Sequence, residues 1–254
     1  MNTLTICRKE LSSYFRSPIA YGVMAFFALI VGYFFYVAVV FFVRRHLEST
    51  MMGQSVPMDV DEWVVRNVLS NVSVVGLFLI PMITMRLFAE EKRTGTIELL
   101  MTSPITNIEI IVGKWLAALL LYLAMLALPL ISLLSLFAFG KPDWRPLAVG
   151  YLGLILQGGC LLAIGAFVST CTKNQIVAGV AGFGICLLLW VLDWVSSFDS
   201  SPLYRVISYV SVTSHYESFS KGVLDSKDAI YYLSMIVLGL FLTGRSMESM
   251  RWRA

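Results

Sequence analysis

Charge is what this sequence has least of for its size. Asp, Glu, Lys and Arg make up 14% of its 254 residues, against roughly 25% in soluble domains. Hydrophobic residues reach 58%, more than the surface of a soluble domain can hide. The net charge of +3 is small and scattered, which excludes a nucleic-acid footprint. Histidine is limited to His46 and His215, both in polar stretches, where a hydrogen-bonded loop residue is expected rather than a ligand. Cys7, Cys160, Cys171 and Cys186 form no C-x-x-C pair, so neither a zinc site nor a disulfide framework is indicated. A G-x-x-x-x-G-K-[ST] loop, whose backbone amides cradle phosphate, is missing too. Gly113-Lys114 is followed by Trp115, and Gly140-Lys141 by Pro142. No catalytic residue, cofactor site or metal site is therefore expected in this chain.

Long apolar runs are what the chain has in abundance. Residues 19–43 exceed the roughly 7–15 residues of a signal h-region and suit a membrane span of about 20. Further spans are expected at 68–87, 108–139, 147–168, 176–195 and 228–244, with bends at Pro81 and Pro129. Thr106-Asn107-Ile108-Glu109 has the form of a capping box and should start the third span. The fold class is thus an all-α integral membrane protein, one domain over 1–254. Residues 1–16 read as an amphipathic helix in the interface, with Leu4, Cys7, Leu11, Tyr14 and Phe15 turned to lipid. Residues 44–66 read as an outer loop, with Trp63 at the interface. In the outer loop at 196–227, Leu203, Val206, Ile207 and Val210 share a helical face. Within the spans, Gln157 suits an interhelical hydrogen bond. Gly159 with Ala163, and Ala178 with Gly182, suit close helix approach.

The densest run of charge lies between the second and third spans, from Leu87 to Pro104. On a helix, Ile97, Leu100, Met101 and Pro104 share one face. Gly95 can open that helix with Glu98 at its third position, and Pro104 must end it. The second span is expected to run on to Arg93, break at Thr94-Gly95, and give way to a short helix at 95–103. Such an apolar-faced helix is a handle for a soluble partner.

The run Phe88-Ala89-Glu90-Glu91-Lys92-Arg93-Thr94-Gly95-Thr96-Ile97-Glu98-Leu99-Leu100, followed by Ser103-Pro104, resembles the coupling-helix region of ABC-2-type transporter permeases. It looks most like the gliding-motility-associated subfamily. The resemblance implies that Glu90, Glu91, Arg93, Gly95, Thr96, Ile97, Glu98, Leu100 and Met101 form the coupling region to a separate cytoplasmic ATPase subunit. ATP and Mg would sit on that subunit. It also implies a dimer with a second permease copy or related chain, an outer-face or periplasmic partner, lipid contacts, and export or mechanical work. The location implied is the bacterial inner membrane, with both termini cytoplasmic. With the N-terminus inside, Lys and Arg divide 11 inside to 8 outside, in keeping with that orientation. One enzyme reading competes: Glu90-Glu91 resembles part of the EExxxR signature of membrane CAAX-type proteases. The fifth position after Glu90 is Gly95 instead of Arg, and neither histidine falls in a span.

Overall fold

Backbone amides surrounded by lipid must be bonded within their own segment, so apolar runs of this length resolve into helices. The structure, a computed structural model, describes residues 2–52, 60–98, 105–139, 142–196 and 209–251, and no strand occurs among them. In chain order the helices are α1 (Asn2–Arg16), α2 (Pro18–Met51), a π-helical turn at Asp61–Val65, and α3 (Arg66–Thr84). Next come α4 (Ala89–Thr94), α5 (Asn107–Phe139), α6 (Trp144–Cys171), α7 (Gln175–Ser196), α8 (Val212–Ser220) and α9 (Ser226–Arg251). Six of the helical stretches are long and apolar enough to cross a membrane.

Helix α6 is the centre, with α3, α5, α7, α8 and α9 packed around it. Its small residues are the cause, since they leave sockets for larger neighbours. A Cβ added at Gly158 would lie 2.1 Å from the Tyr122 ring, and one at Gly165 would lie 2.3 Å from Thr84 Oγ1. From the other side, a Cβ on Gly239 of α9 would meet Ala163 at 2.9 Å. The expected close approach at Gly159 and Ala163 is thus realised against α9. The Ser73 hydroxyl donates to Gln157 Oε1 at 2.7 Å, joining α3 to α6 as expected for Gln157. Helix α2 is the opposite case: Tyr21, Phe26, Leu29, Tyr33 and Tyr36 all lie exposed along it.

Several boundaries differ from the sequence expectation. Helix α2 does not stop at Val43 but continues through Arg44, Arg45 and His46 to Met51. The charges mark where the helix leaves apolar surroundings, not where it ends. Arg45 lies over the Phe41 ring at 5.4 Å, and Trp63 stacks on Phe41 at 5.9 Å. Most of the expected loop at 44–66 is therefore helical on both sides of residues 53–59, which lie outside the described residues. The helix of the second span ends at Thr84 instead of running on to Arg93, and a turn at 85–88 separates it from α4. The last span is a 26-residue helix reaching Arg251, well past residue 244, because polar residues extend it. The capping box is present: Thr106 N donates to Glu109 Oε2 at 3.0 Å, and Glu109 N to Thr106 Oγ1 at 3.3 Å. Of the helical face expected around 203–210, Leu203, Val206 and Ile207 lie outside the described residues; α8 follows it.

Helix α1 also departs from expectation. Its buried residues are Ile6 and Cys7, and they face α5 instead of lipid. Gly113 permits this, since a Cβ there would stand 3.0 Å from both Ile6 Cβ and the Thr3 carbonyl. Leu4, expected to be turned to lipid, is 73% exposed on the bundle surface. Burial pushes the Cys7 thiol above its ordinary pKa.

Candidate functional site

The segment after α3 is shaped by residues some eighty positions away. Phe88 N and Ala89 N both donate to the Ser169 hydroxyl oxygen, each at 3.1 Å. That one oxygen, on the last turn of α6, takes two amides that would otherwise be orphans at the start of α4. The turn at 85–88 therefore breaks the helix more than two turns earlier than the charge pattern suggests. Lys92 Nζ then bonds to the Thr170 carbonyl and fixes α4 to the same end of α6. Helix α4 closes at Gly95, whose φ of +75° lies in the left-handed region that favours glycine. Thr94 Oγ1 bonds back to the Glu90 carbonyl at 3.0 Å. A new helical turn begins at residues 96–98, with Glu98 N bonded to the Gly95 carbonyl at 3.3 Å. The expected break at Thr94-Gly95 is present, and Gly95 both ends α4 and accepts the first bond of the next turn, with Glu98 three residues on as expected.

Beneath this segment lies a charge cluster. Lys114 Nζ is 3.1 Å from Glu10 Oε1 on α1 and 2.8 Å from Glu91 Oε1 on α4. It also lies 5.5 Å above the Phe88 ring. The lysine side chain is 2% exposed, and the two carboxylates are 17% and 16% exposed. Burying ions costs hydration, so such a cluster persists only where partners are close and fixed. The balance is incomplete, because Glu91 Oε2 and Arg86 Nε are buried with no hydrogen-bond partner among the described residues. Tyr14 adjoins the cluster, and its phenol is pushed well above its ordinary pKa. Burial is the main cause, the negative field of Glu10 the second, with Arg86 pulling the other way.

The expected site residues divide accordingly. Glu90 is half-buried, and Glu91 is held by Lys114. Arg93, Gly95, Thr96 and Glu98 are exposed. Ile97, expected on an outward docking face, is turned inward and only 9% exposed. Leu100 and Met101 lie outside the described residues. The protease reading gains no support from the geometry. His215 is bonded to Asp228 beside the start of α6, and Glu91 lies at the far end of that helix. The residues that sequence reasoning missed are Glu10, Lys114, Ser169 and Thr170. Lys114 did carry a signal, as a lone cation inside an apolar run.

Comparison with known proteins fits this architecture. The profile of the ABC-2 family transporter proteins matches residues 4–243. The probable multidrug ABC transporter permease YbhR of Escherichia coli (strain K12) is 22% identical over 169 residues, covering 65% of this chain and 44% of that protein. The probable multidrug ABC transporter permease YbhS of the same organism is 25% identical over 183 residues, covering 71% and 47%. The chain spans about half the length of these curated relatives. With a family match running through every span, from the first turn of α1 into the last helix, the chain belongs to the ABC-2 family of transporter proteins.

Proposed function

We propose that this chain is the membrane-embedded permease subunit of an ABC exporter, driven by ATP hydrolysis on a separate ATPase chain. One observation carries the reading: a charged segment leaves the second span, is bonded back onto two other spans, and presents Arg93, Thr94, Thr96 and Glu98 at its surface. A partner pushing there moves α6 through Ser169 and α5 through Lys114. In this reading Glu90, Glu91, Arg93, Gly95, Thr96, Ile97, Glu98, Leu100 and Met101 make up the coupling region, and ATP and Mg bind to the partner. Two permease chains, identical or related, form the transporter in a bacterial inner membrane. The termini and residues 89–98 face the cytoplasm. The relatives' names point to multidrug cargo, and the sparse polar groups within the spans suit apolar or amphipathic molecules.

A second reading is mechanical work on an outer-face partner, as in the gliding-associated subfamily that the 88–104 run resembles. It is favoured by a groove of mixed charge at the opposite end, lined by Asp61, Glu62, Arg66, Asp143 and Lys221.

The test begins with the tagged chain purified in mild detergent. An ATPase bearing a phosphate loop should come with it, and Arg93→Glu should weaken that complex at least about tenfold. A wild-type chain without any ATPase overturns the subunit assignment, and undiminished binding by Arg93→Glu removes the docking surface. A cysteine at Glu217 should react with an impermeant label in intact cells, and one at Thr96 only after lysis. The reverse pattern would end the exporter reading.

A further inference from the structure

A single lysine held between carboxylates of two different helices does more than neutralise charge. Glu10, Glu91 and Lys114 sit on α1, α4 and α5, and no two of them share an element. We propose that Lys114 is a positioning residue that ties α4 to α1, so that displacement of residues 89–98 is passed to α1 as well as to the third span. The proposal rests on the permease reading above.

Three features support the tie. The ammonium is a compact charge with three rotatable donors on a flexible stem, so it can follow one carboxylate while keeping the other. Glu91 is held through one oxygen, while its Oε2 has no hydrogen-bond partner among the described residues, which leaves the carboxylate free to turn about that contact. One residue away, Gly113 brings α1 against the α5 backbone, with Ile6 and the Thr3 carbonyl 3.0 Å from where a Cβ would lie. Helix α1 is thus pressed onto α5 where Lys114 reaches both partners. A shift of Glu91 pulls on Lys114 and therefore on Glu10.

The chain contains its own reporter. Cys7 is buried on α1, three residues before Glu10 and next to Ile6, which packs on α5 at Gly113, so movement of α1 should change its accessibility. In a Cys171→Ser background, Cys160 and Cys186 remain buried and serve as slow controls. The complex of the full chain with its ATPase is placed in lipid nanodiscs. The rate of maleimide labelling at Cys7 is then measured without nucleotide and with a non-hydrolysable ATP analogue. The wild-type rate should change at least about fivefold, the lower end of ordinary coupling between sites. Glu10→Met keeps the Lys114–Glu91 pair and leaves no lone buried cation. In that variant the nucleotide response should vanish while the ATPase stays bound.

A lysine with only a structural role would leave the response in place, so its retention in Glu10→Met overturns the proposal. A wild-type complex whose Cys7 rate ignores nucleotide overturns it too, and leaves the permease reading standing. A wild-type chain that binds no ATPase overturns both. If Glu10→Met fails to fold, the neutral triple variant Glu10→Gln, Glu91→Gln, Lys114→Met contains no unpaired charge from the cluster and takes its place. Loss of the response with the ATPase still bound supports the tie, and retention refutes it.

Discussion

The two ends of the helix bundle are fastened by different chemistry. At the end bearing α8, His215 Nδ1 is 2.7 Å from Asp228 Oδ1, and Nε2 is 2.9 Å from the Tyr209 carbonyl. Tyr231 stacks on the imidazole with ring centres 3.9 Å apart. The Tyr231 and Tyr232 hydroxyls donate to the carbonyls of Val210 and Val212, each at 2.7 Å. All of these residues fall between 209 and 232, so this cap is local in sequence, and it leaves Thr213 Oγ1 buried without a hydrogen-bond partner among the described residues. At the α1 end the ties run from Glu10 to Lys114, from Glu91 to Lys114 and from Phe88 to Ser169. They join distant parts of the chain, and they leave a carboxylate oxygen and a guanidinium nitrogen unfilled. The cap at the first end is fastened by residues close in sequence, and the atom it leaves unfilled is a neutral hydroxyl. The second closes only when the whole bundle is assembled, and it keeps polar capacity in reserve.

The sharpest way to break this contrast is Lys114→Met. It leaves Glu10 and Glu91 buried without their cation and should cost about 3–5 kcal/mol, read as a lowered thermal midpoint in detergent. A small loss would mean that water reaches the cluster and that the α1 end is looser than its burial indicates. His215→Ala should cost less, about 1.5–3 kcal/mol, because it strands the Asp228 carboxylate and one carbonyl at a cap with other fastenings. A larger loss there than for Lys114→Met would invert the comparison. Ser169→Ala removes the acceptor for two amides and should cost about 1 kcal/mol, as loss of a helix N-cap does. Its signature is faster hydrogen exchange at Phe88 and Ala89, with Val212 to Ser220 unchanged. Smallest is Gly95→Ala, about 1 kcal/mol or slightly less from the left-handed backbone, seen as faster exchange confined to residues 94–98.

What the sequence made legible follows the same division. Local signals were readable: six apolar runs, the Thr106–Glu109 box, the break at Gly95, and small residues where α9 meets α6. Gln157 could be read because an isolated amide in an apolar run needs a partner. The ion cluster was not readable, because Glu10, Glu91 and Lys114 are brought together only by the docking of α1 on α5. The turn at 85–88 escaped for the same reason, since its cap comes from Ser169. The length of α2 was missed because hydropathy detects lipid, whereas a helix continues wherever its backbone can bond, as it does through Arg44 and Arg45. Ile97 is buried against the bundle, a contact that a count along one short helix does not reveal.

The sockets on α6 also set an order of events during synthesis. Tyr122 precedes Gly158 by little more than one helical hairpin, so α5 can fill its socket as soon as α6 has been made. The socket that Ala163 shares with Gly239 fills later, because Gly239 lies in the last helix. Until that residue leaves the ribosome, Ala163 lacks its α9 neighbour, while Gly159 is already bonded through its carbonyl to Trp115 of α5 at 3.0 Å. Chains that stall before Gly239 would therefore hold α5 on α6 but leave the α9 side of the central helix open.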